Sequence, residues 1–260
     1  MTTALITGGT AGVGLATGLA LGRRGVRCCA TYRWGSVDPD EVRARFAEAG
    51  APEPVLVQSD CGSAEDTDAL LQELVERTDG VDILVSNATS APVVRTLDDL
   101  TLHGLQQSVR YGAWPLVALT KGLRTAFGRS PRYVVAMSSD GPDHFHPGYD
   151  AVAASKAMLE TLVRYLATHL RPEGTRVNAV RSRGVPTASF QAVFGEEVER
   201  FARRHAPAHW WVPAEEVAGA VVALCSGRMD AVNGQVLVID RGAAFADNLM
   251  RIYDEGGLSR

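Results

Sequence analysis

The run Thr7-Gly-Gly-Thr-Ala-Gly-Val-Gly14 constrains this chain more than any other segment. An apolar stretch, Ala4–Thr7, leads into it, and a helical repeat, Val13–Arg24, leads out. A strand that passes directly into a helix on three spaced glycines, Gly8, Gly12 and Gly14, needs a tight turn and a close approach of helix to sheet. That is the opening of a βαβ unit. Its helix N-terminus offers unpaired N–H groups and a positive dipole end to a phosphate. No Gly-Lys-Ser/Thr follows, which excludes a P-loop.

Short apolar runs and helical repeats alternate through the rest of the chain. Val26–Thr31, Val55–Gln58, Ile83–Ser86, Tyr133–Ser138, Arg176–Val180 and Gln235–Asp240 read as further strands. Most are continuously apolar, as parallel strands covered on both faces are. Helices are predicted over Val13–Arg24, Glu41–Ala49, Ala64–Thr78, Leu102–Phe127, Tyr149–Leu170 and Ala214–Cys225. Gly25 and Gly50 take helix C′ positions, while Ser63 and Pro213 stand at helix starts followed by carboxylates. The alternation predicts an α/β fold, a Rossmann-type doubly wound parallel sheet of seven strands with helices on both faces. At 260 residues and 46% apolar content the chain is expected to form one domain over 1–260. Residues 187–208, the least regular stretch, are expected to be a substrate flap, and 243–260 a tail.

At the carboxyl ends of these strands, Thr10, Ala11 and Val13 accompany the glycines around the expected diphosphate. The second strand ends in Thr31-Tyr32-Arg33, with no acid there to hold a ribose 2′-hydroxyl. Arg33 suits a 2′-phosphate instead, so NADPH is preferred over NADH.

These motifs together resemble the short-chain dehydrogenase/reductases, from about residue 3 to residue 242. The resemblance implies adenine contacts at Asp60 and Cys61, and a fourth-strand element at Asn87-Ala88-Thr89. It also implies a nicotinamide carboxamide held by Val185-x-Thr187, and a ribose held by Lys156. Lys156 stands out, because the chain has two lysines (the other is Lys121) among 26 basic residues. Tyr149-x6-Lys156 departs from the usual Tyr-x3-Lys, since Val152 stands four before the lysine. That spacing, with Ala157–Leu166 after it, resembles the bacterial enoyl-acyl-carrier-protein reductases that keep an ordinary glycine-rich loop. Seven helical residues return to within about 20° of the same face after about 10 Å of rise. The resemblance gives Tyr149 the enolate oxygen left by hydride addition to a C=C bond, with the lysine charge favouring a hydrogen-bonded or partly ionised phenol. Ser139, thirteen before Val152, is a candidate pocket hydrogen-bond partner.

Several residues depart from the family pattern. Gly112 falls where many members carry an asparagine that holds a relay water. Arg181-Ser-Arg183 replaces a Pro-Gly-type turn and is expected to put positive charge near the acyl entrance, and Arg241 interrupts an Asp-Gly-Gly. His144 and His146 share a loop with Asp143 and are further candidate acids, while Trp210 and Trp211 are candidate walls of an apolar pocket.

The leading expectation is therefore an NADPH-dependent reductase of an α,β-unsaturated acyl thioester or related enone, the substrate carried on acyl carrier protein or CoA. The alternatives are an atypical ketoreductase or quinone reductase tailoring a polyketide-like secondary metabolite, and a catalytically silent NADPH-binding protein. A net charge of −4 with interspersed signs gives no nucleic-acid footprint. No apolar run is long enough to span a bilayer, and no cleavable apolar leader is expected before the first strand. Cys28, Cys29, Cys61 and Cys225 have no metal-type spacing and are expected as free thiols, with Cys28 and Cys29 on opposite faces of a strand. No residue cluster suggests a metal site. The expected setting is cytoplasmic, and the resemblance implies a homotetramer.

Overall fold

The computed structural model describes residues 1–33, 37–90, 92–206 and 210–245, together with Met250 and Tyr253. Seven strands form one sheet: β1 (Thr3–Ile6), β2 (Arg27–Tyr32), β3 (Val55–Gln58), β4 (Ile83–Ser86), β5 (Tyr133–Ser139), β6 (Arg176–Ser182) and β7 (Val236–Ile239). All pairings are parallel, in the order β3-β2-β1-β4-β5-β6-β7. The expected seven-stranded α/β fold is thus observed. The order reverses between β1 and β4, so the loops after these two strands part and leave a crevice at their carboxyl ends.

Among the described residues eight α-helices cover the two faces: α1 (Gly12–Gly22), α2 (Pro39–Glu48), α3 (Ala64–Arg77), α4 (Leu102–Gly112), α5 (Trp114–Phe127), α6 (Asp150–His169), α7 (Ala188–His205) and α8 (Ala214–Leu224). On one face Leu15, Leu19, Phe46, Val217 and Val221 pack on the inner strands. On the other, Leu70, Leu74, Leu116, Leu119, Leu159 and Val163 do so. Strand β2 shows the division in two adjacent residues, with Cys28 in the first core and Cys29 in the second. Burial pushes the Cys28 thiol up to about 12 and the Cys29 thiol to about 11, so neither is a nucleophile at neutral pH.

Local signals behave as the sequence leads one to expect at most ends. Gly25 and Gly50 sit at φ +78° and +65° after α1 and α2. Ser63 caps α3 by accepting from the Asp66 N–H at 3.2 Å. Two expectations are corrected. The single helix expected over 102–127 is two helices, broken at Ala113 (φ −116°), because Pro115 has no N–H to give and its ring crowds the preceding turn. Residues 187–205, expected to be irregular, are largely helical, with Thr187 capping α7 and a break at Gly195, where φ is +81° and ψ 162°. That glycine interrupts the apolar repeat and hides the helix from a periodicity reading. Of the stretch 187–208, Pro207 and Ala208 lie outside the described residues, as does most of 243–260.

Candidate functional site

The glycine turn and the loop after β4 are locked together by two side chains. Thr7 Oγ1 accepts the N–H groups of Asn87 and Ala88, both at 2.9 Å. Asn87 Nδ2 donates back to the Thr7 carbonyl at 2.9 Å and the Gly8 carbonyl at 3.1 Å. Gly8 and Gly12 hold φ of +61° and +51°. A Cβ on Gly14 would collide with the Gly8 carbonyl oxygen, so this glycine permits the helix–turn packing rather than any ligand contact. A Cβ on Gly12 would instead enter the gap toward Thr187, coming to 3.4 Å of its methyl. Helix α1 has Ala11 as N-cap with no side-chain cap, which leaves its first N–H groups for an anion. The cradle therefore fits a dinucleotide diphosphate.

Apart from Gly14, every expected cofactor-binding residue lines one cavity of about 1220 Å³. It runs from Thr10, Ala11 and Val13, past Tyr32, Arg33, Asp60 and Cys61, to Asn87, Ala88, Thr89, Lys156, Val185 and Thr187. At one end Arg33 lies 3.6 Å from Asp60 and 5.7 Å over the ring of Tyr111, whose hydroxyl donates to Asp60 at 3.1 Å. Tyr111 carried no sequence signal of a site: it comes from α4, and only the fold brings it to Asp60.

At the other end lie Tyr149, Lys156 and Ser139, all on the cavity wall. The Tyr149 hydroxyl donates to Ser139 Oγ at 3.1 Å. Its phenol is pushed up chiefly by burial and also by Asp140, against the opposing effect of the Ser139 bond. It is therefore a protonated, hydrogen-bonded donor at neutral pH. Lys156 is 5% exposed and donates to the Met137 carbonyl at 2.7 Å. Burial lowers its ammonium to about 8, against the raising effect of Glu160. Val152 also lines this wall and is 1% exposed, so the position four before the lysine offers only methyl groups.

The departures from the family pattern have physical accounts. Arg181 grips Glu160 with two bonds, at 2.9 and 2.6 Å, and also pairs with Asp143. Glu160 is 3% exposed and accepts from Ser138 at 2.7 Å. Arg183 lies 3.2 Å from Asp140, whose other oxygen is 2.8 Å from His146 Nε2. Both arginines are thus neutralised by acids, and the expected positive field at the entrance is not there; they tie the loop between β5 and α6 to the end of β6. Arg241, at φ +53°, pairs with Glu216 and donates to the Trp211 carbonyl at 3.1 Å. Trp210 lines the cavity, while Trp211 meets it edge-on, ring centroids 4.7 Å apart. Phe190 and Phe194 of α7 complete an aromatic wall that reaches Tyr149, 5.7 Å from Phe194.

Gly112 has a steric reason. A Cβ there would lie 2.5 Å from Ser155 Oγ, which donates to the Ser108 carbonyl at 2.7 Å. The side chain that usually holds a relay water is excluded by the close packing of α6. Gly112→Asn is expected to cost about 1–3 kcal/mol, read as a fall in the denaturant midpoint. Adding Ser155→Gly should recover most of that loss.

Among the described residues no group of three or more His, Cys, Asp or Glu side chains is placed to hold a metal ion. Nor is any described helix long and apolar enough to cross a membrane.

The family model for enoyl-(acyl carrier protein) reductase matches residues 8–244. A 1-cyclohexenylcarbonyl-CoA reductase of Streptomyces collinus is 30% identical over 241 residues, covering 92% of this chain and 85% of that protein. The crystal structure of enoyl-[acyl-carrier-protein] reductase (NADH) from Aquifex aeolicus superposes with a TM-score of 0.82 at 25% identity, over 94% of this chain and 97% of that one. A single-residue variant of actinorhodin polyketide ketoreductase with NADPH gives a TM-score of 0.81 at 26% identity, over 93% and 96% of the two chains.

Proposed function

Since this chain belongs to the enoyl-(acyl carrier protein) reductase family of short-chain dehydrogenase/reductases, we propose that it is an NADPH-dependent reductase of a C=C bond conjugated to an acyl thioester or related carbonyl. The observation that carries this reading is the exchange of positions around Lys156. A buried valine stands where a carbonyl reductase needs its acid, and a protonated phenol, Tyr149, stands one helical turn further along the same wall. When bound, the cofactor supplies the hydride. Lys156, whose ammonium is buried beside the Met137 carbonyl, would hold the nicotinamide ribose, with Val185 and Thr187 at the carboxamide. The Tyr149 hydroxyl, now given to Ser139, would turn to the thioester oxygen as negative charge gathers on it. Phe190, Phe194 and Trp210 would keep water from the reacting carbons. In this reading α7 is the flap of a single oxidoreductase domain, the acyl group arrives on CoA or acyl carrier protein, and the enzyme works as a cytoplasmic homotetramer.

The NADPH preference rests on Arg33 and on the lack of an acid at the end of β2. Arg33→Ala is expected to raise KM for NADPH by about 10–100-fold, the worth of a charge-assisted bond, while KM for NADH stays within about threefold. Equal effects on both cofactors would remove Arg33 from the 2′-phosphate.

The parent reading is tested by NADPH oxidation with a crotonyl-type thioester and a β-ketoacyl thioester in parallel. Turnover of the enoyl substrate is the expected result. The second reading, an atypical ketoreductase, draws on the 3.1 Å approach of Ser139 and Tyr149, which would let both hydroxyls meet one carbonyl oxygen; turnover of the ketoacyl substrate alone selects it.

A further inference from the structure

The enolate left after hydride addition has two atoms to satisfy. Its oxygen needs a donor through the charged stage, and its α-carbon needs a proton to finish the reaction. Tyr149 serves the first and cannot give one proton to both. A supply from bulk water past α4 and Lys156 is poorly provided for: Gly112 has no side chain, Ser155 fills its place, and the Lys156 ammonium is buried.

Two other titratable side chains on the cavity wall lie close to Tyr149, Asp140 and His146, and His146 is the more exposed of the two. His146 lies edge-on to the Tyr149 ring, centroids 5.9 Å apart, and 5.9 Å from Phe194. Its side chain is 20% exposed, against 12% for its partner Asp140. His146 Nε2 is 2.8 Å from Asp140 Oδ1, and Asp140 Oδ2 is 3.2 Å from Arg183 Nε. The carboxylate fixes the ring and makes Nε2 the nitrogen that keeps its hydrogen, which leaves Nδ1 to exchange a proton.

We propose that His146 is the catalytic acid that protonates the α-carbon, with Asp140 and Arg183 as its positioning residues. This rests on the C=C reductase reading above. The Nδ1–H bond breaks as the Cα–H bond forms from the enolate electron pair, and the hydride on the β-carbon is the one the bound cofactor supplies. The neutral imidazole then regains its proton from water at its exposed edge. The charged and titratable groups around it are few. From its own loop come Asp140 and His144, whose Nδ1 reaches only the Asp140 carbonyl at 3.3 Å. From the end of β6 come Arg183, and Arg181 already bound to Glu160 and Asp143. From the start of α6 comes Tyr149, while α7 offers Phe194, which does not titrate.

The test is enoyl-thioester reduction by NADPH in D2O, comparing wild type with His146→Gln, Asp140→Asn and His144→Gln. NADPH affinity is measured in parallel to establish that each variant is folded. His146→Gln is expected to lose about 10–100-fold in kcat, to lose the alkaline limb where an imidazolium donor gives up its proton, and to place deuterium on both faces of the α-carbon. Added imidazole should restore part of the rate. Asp140→Asn should shift the same limb and remove the Nε2–H tautomer seen by 15N NMR in the free protein, while His144→Gln stays within about threefold of wild type. A His146→Gln enzyme with wild-type rate, pH profile and single-faced deuteration overturns the proposal while leaving the reductase reading intact. A wild type that binds NADPH and reduces no enoyl thioester overturns both.

Discussion

Phenylalanine in place of Tyr149 is expected to lower kcat on an enoyl thioester by about 10²–10⁴, with NADPH affinity unchanged. The substitution removes one atom group from the cavity wall. The ring keeps its stack on Phe194 at 5.7 Å, so the flanking aromatic wall stays in place. What is lost is the hydroxyl now bonded to Ser139, a donor whose buried phenol stays protonated at neutral pH. A preorganised donor facing a developing oxyanion has few substitutes. Ser139 stays, and its hydroxyl, 3.1 Å from the one removed, sets the residual rate. Steady-state kinetics, with single-turnover NADPH oxidation to separate chemistry from release, give the measure. A rate within a few-fold of wild type would take Tyr149 out of the mechanism, and the C=C reading would lose its main support.

Truncating Arg181 to alanine should destabilise the protein by about 3–5 kcal/mol. The guanidinium makes two bonds to Glu160, a carboxylate that is 3% exposed. Without it Glu160 keeps the Ser138 hydroxyl and the more distant Lys156 ammonium, and a buried charge loses its direct partner. The same pairing holds the Arg181 guanidinium ionised, its affinity for the proton raised first by the Glu160 bond. Chemical unfolding should show a lower midpoint at unchanged slope, the mark of a native-state loss. Replacing both partners by methionine is the informative contrast: it removes the attraction and the desolvation cost together, and should cost far less than the single change. If the alanine variant loses less than about 1 kcal/mol, water reaches Glu160 and the pair behaves as a surface one.

The parts of this molecule that were legible in the sequence are those set by neighbours along the chain. Most of the strands are runs rich in branched apolar residues, and Val55–Gln58 and Ile83–Ser86 have the boundaries their sequences suggest. The glycine turn declares itself because only glycine holds φ near +60° at Gly8 and Gly12 at little cost. Tyr149 and Lys156 share a wall because seven residues are nearly two helical turns. The relationships that stayed hidden are those made across space. Arg181 meets Glu160 from a different element, 21 residues away. Tyr111 reaches Asp60 across 51 residues. Nothing in the repeat of residues 102–127 marks the break at Ala113 except Pro115, whose effect is easily lost inside so long an amphipathic pattern. Arg181 and Arg183, at the end of β6, read as bare charge in one dimension, yet each meets an acid in three.

The glycine that interrupts α7 has a bearing on how such an enzyme can diverge. Gly195 separates two stretches of cavity wall: Ala188, Phe190 and Phe194 before it, Val198, Phe201 and Ala202 after it. In the first stretch Phe194 packs 5.7 Å from the Tyr149 ring, where bonds change; in the second the Phe201 ring packs on His205 instead. A substitution beyond the glycine can reshape what the cavity admits there without turning the segment that meets the phenol. Tolerance for new substrates and fidelity of the reaction are thus inherited in separate pieces of chain, and one is free to drift while the other is held.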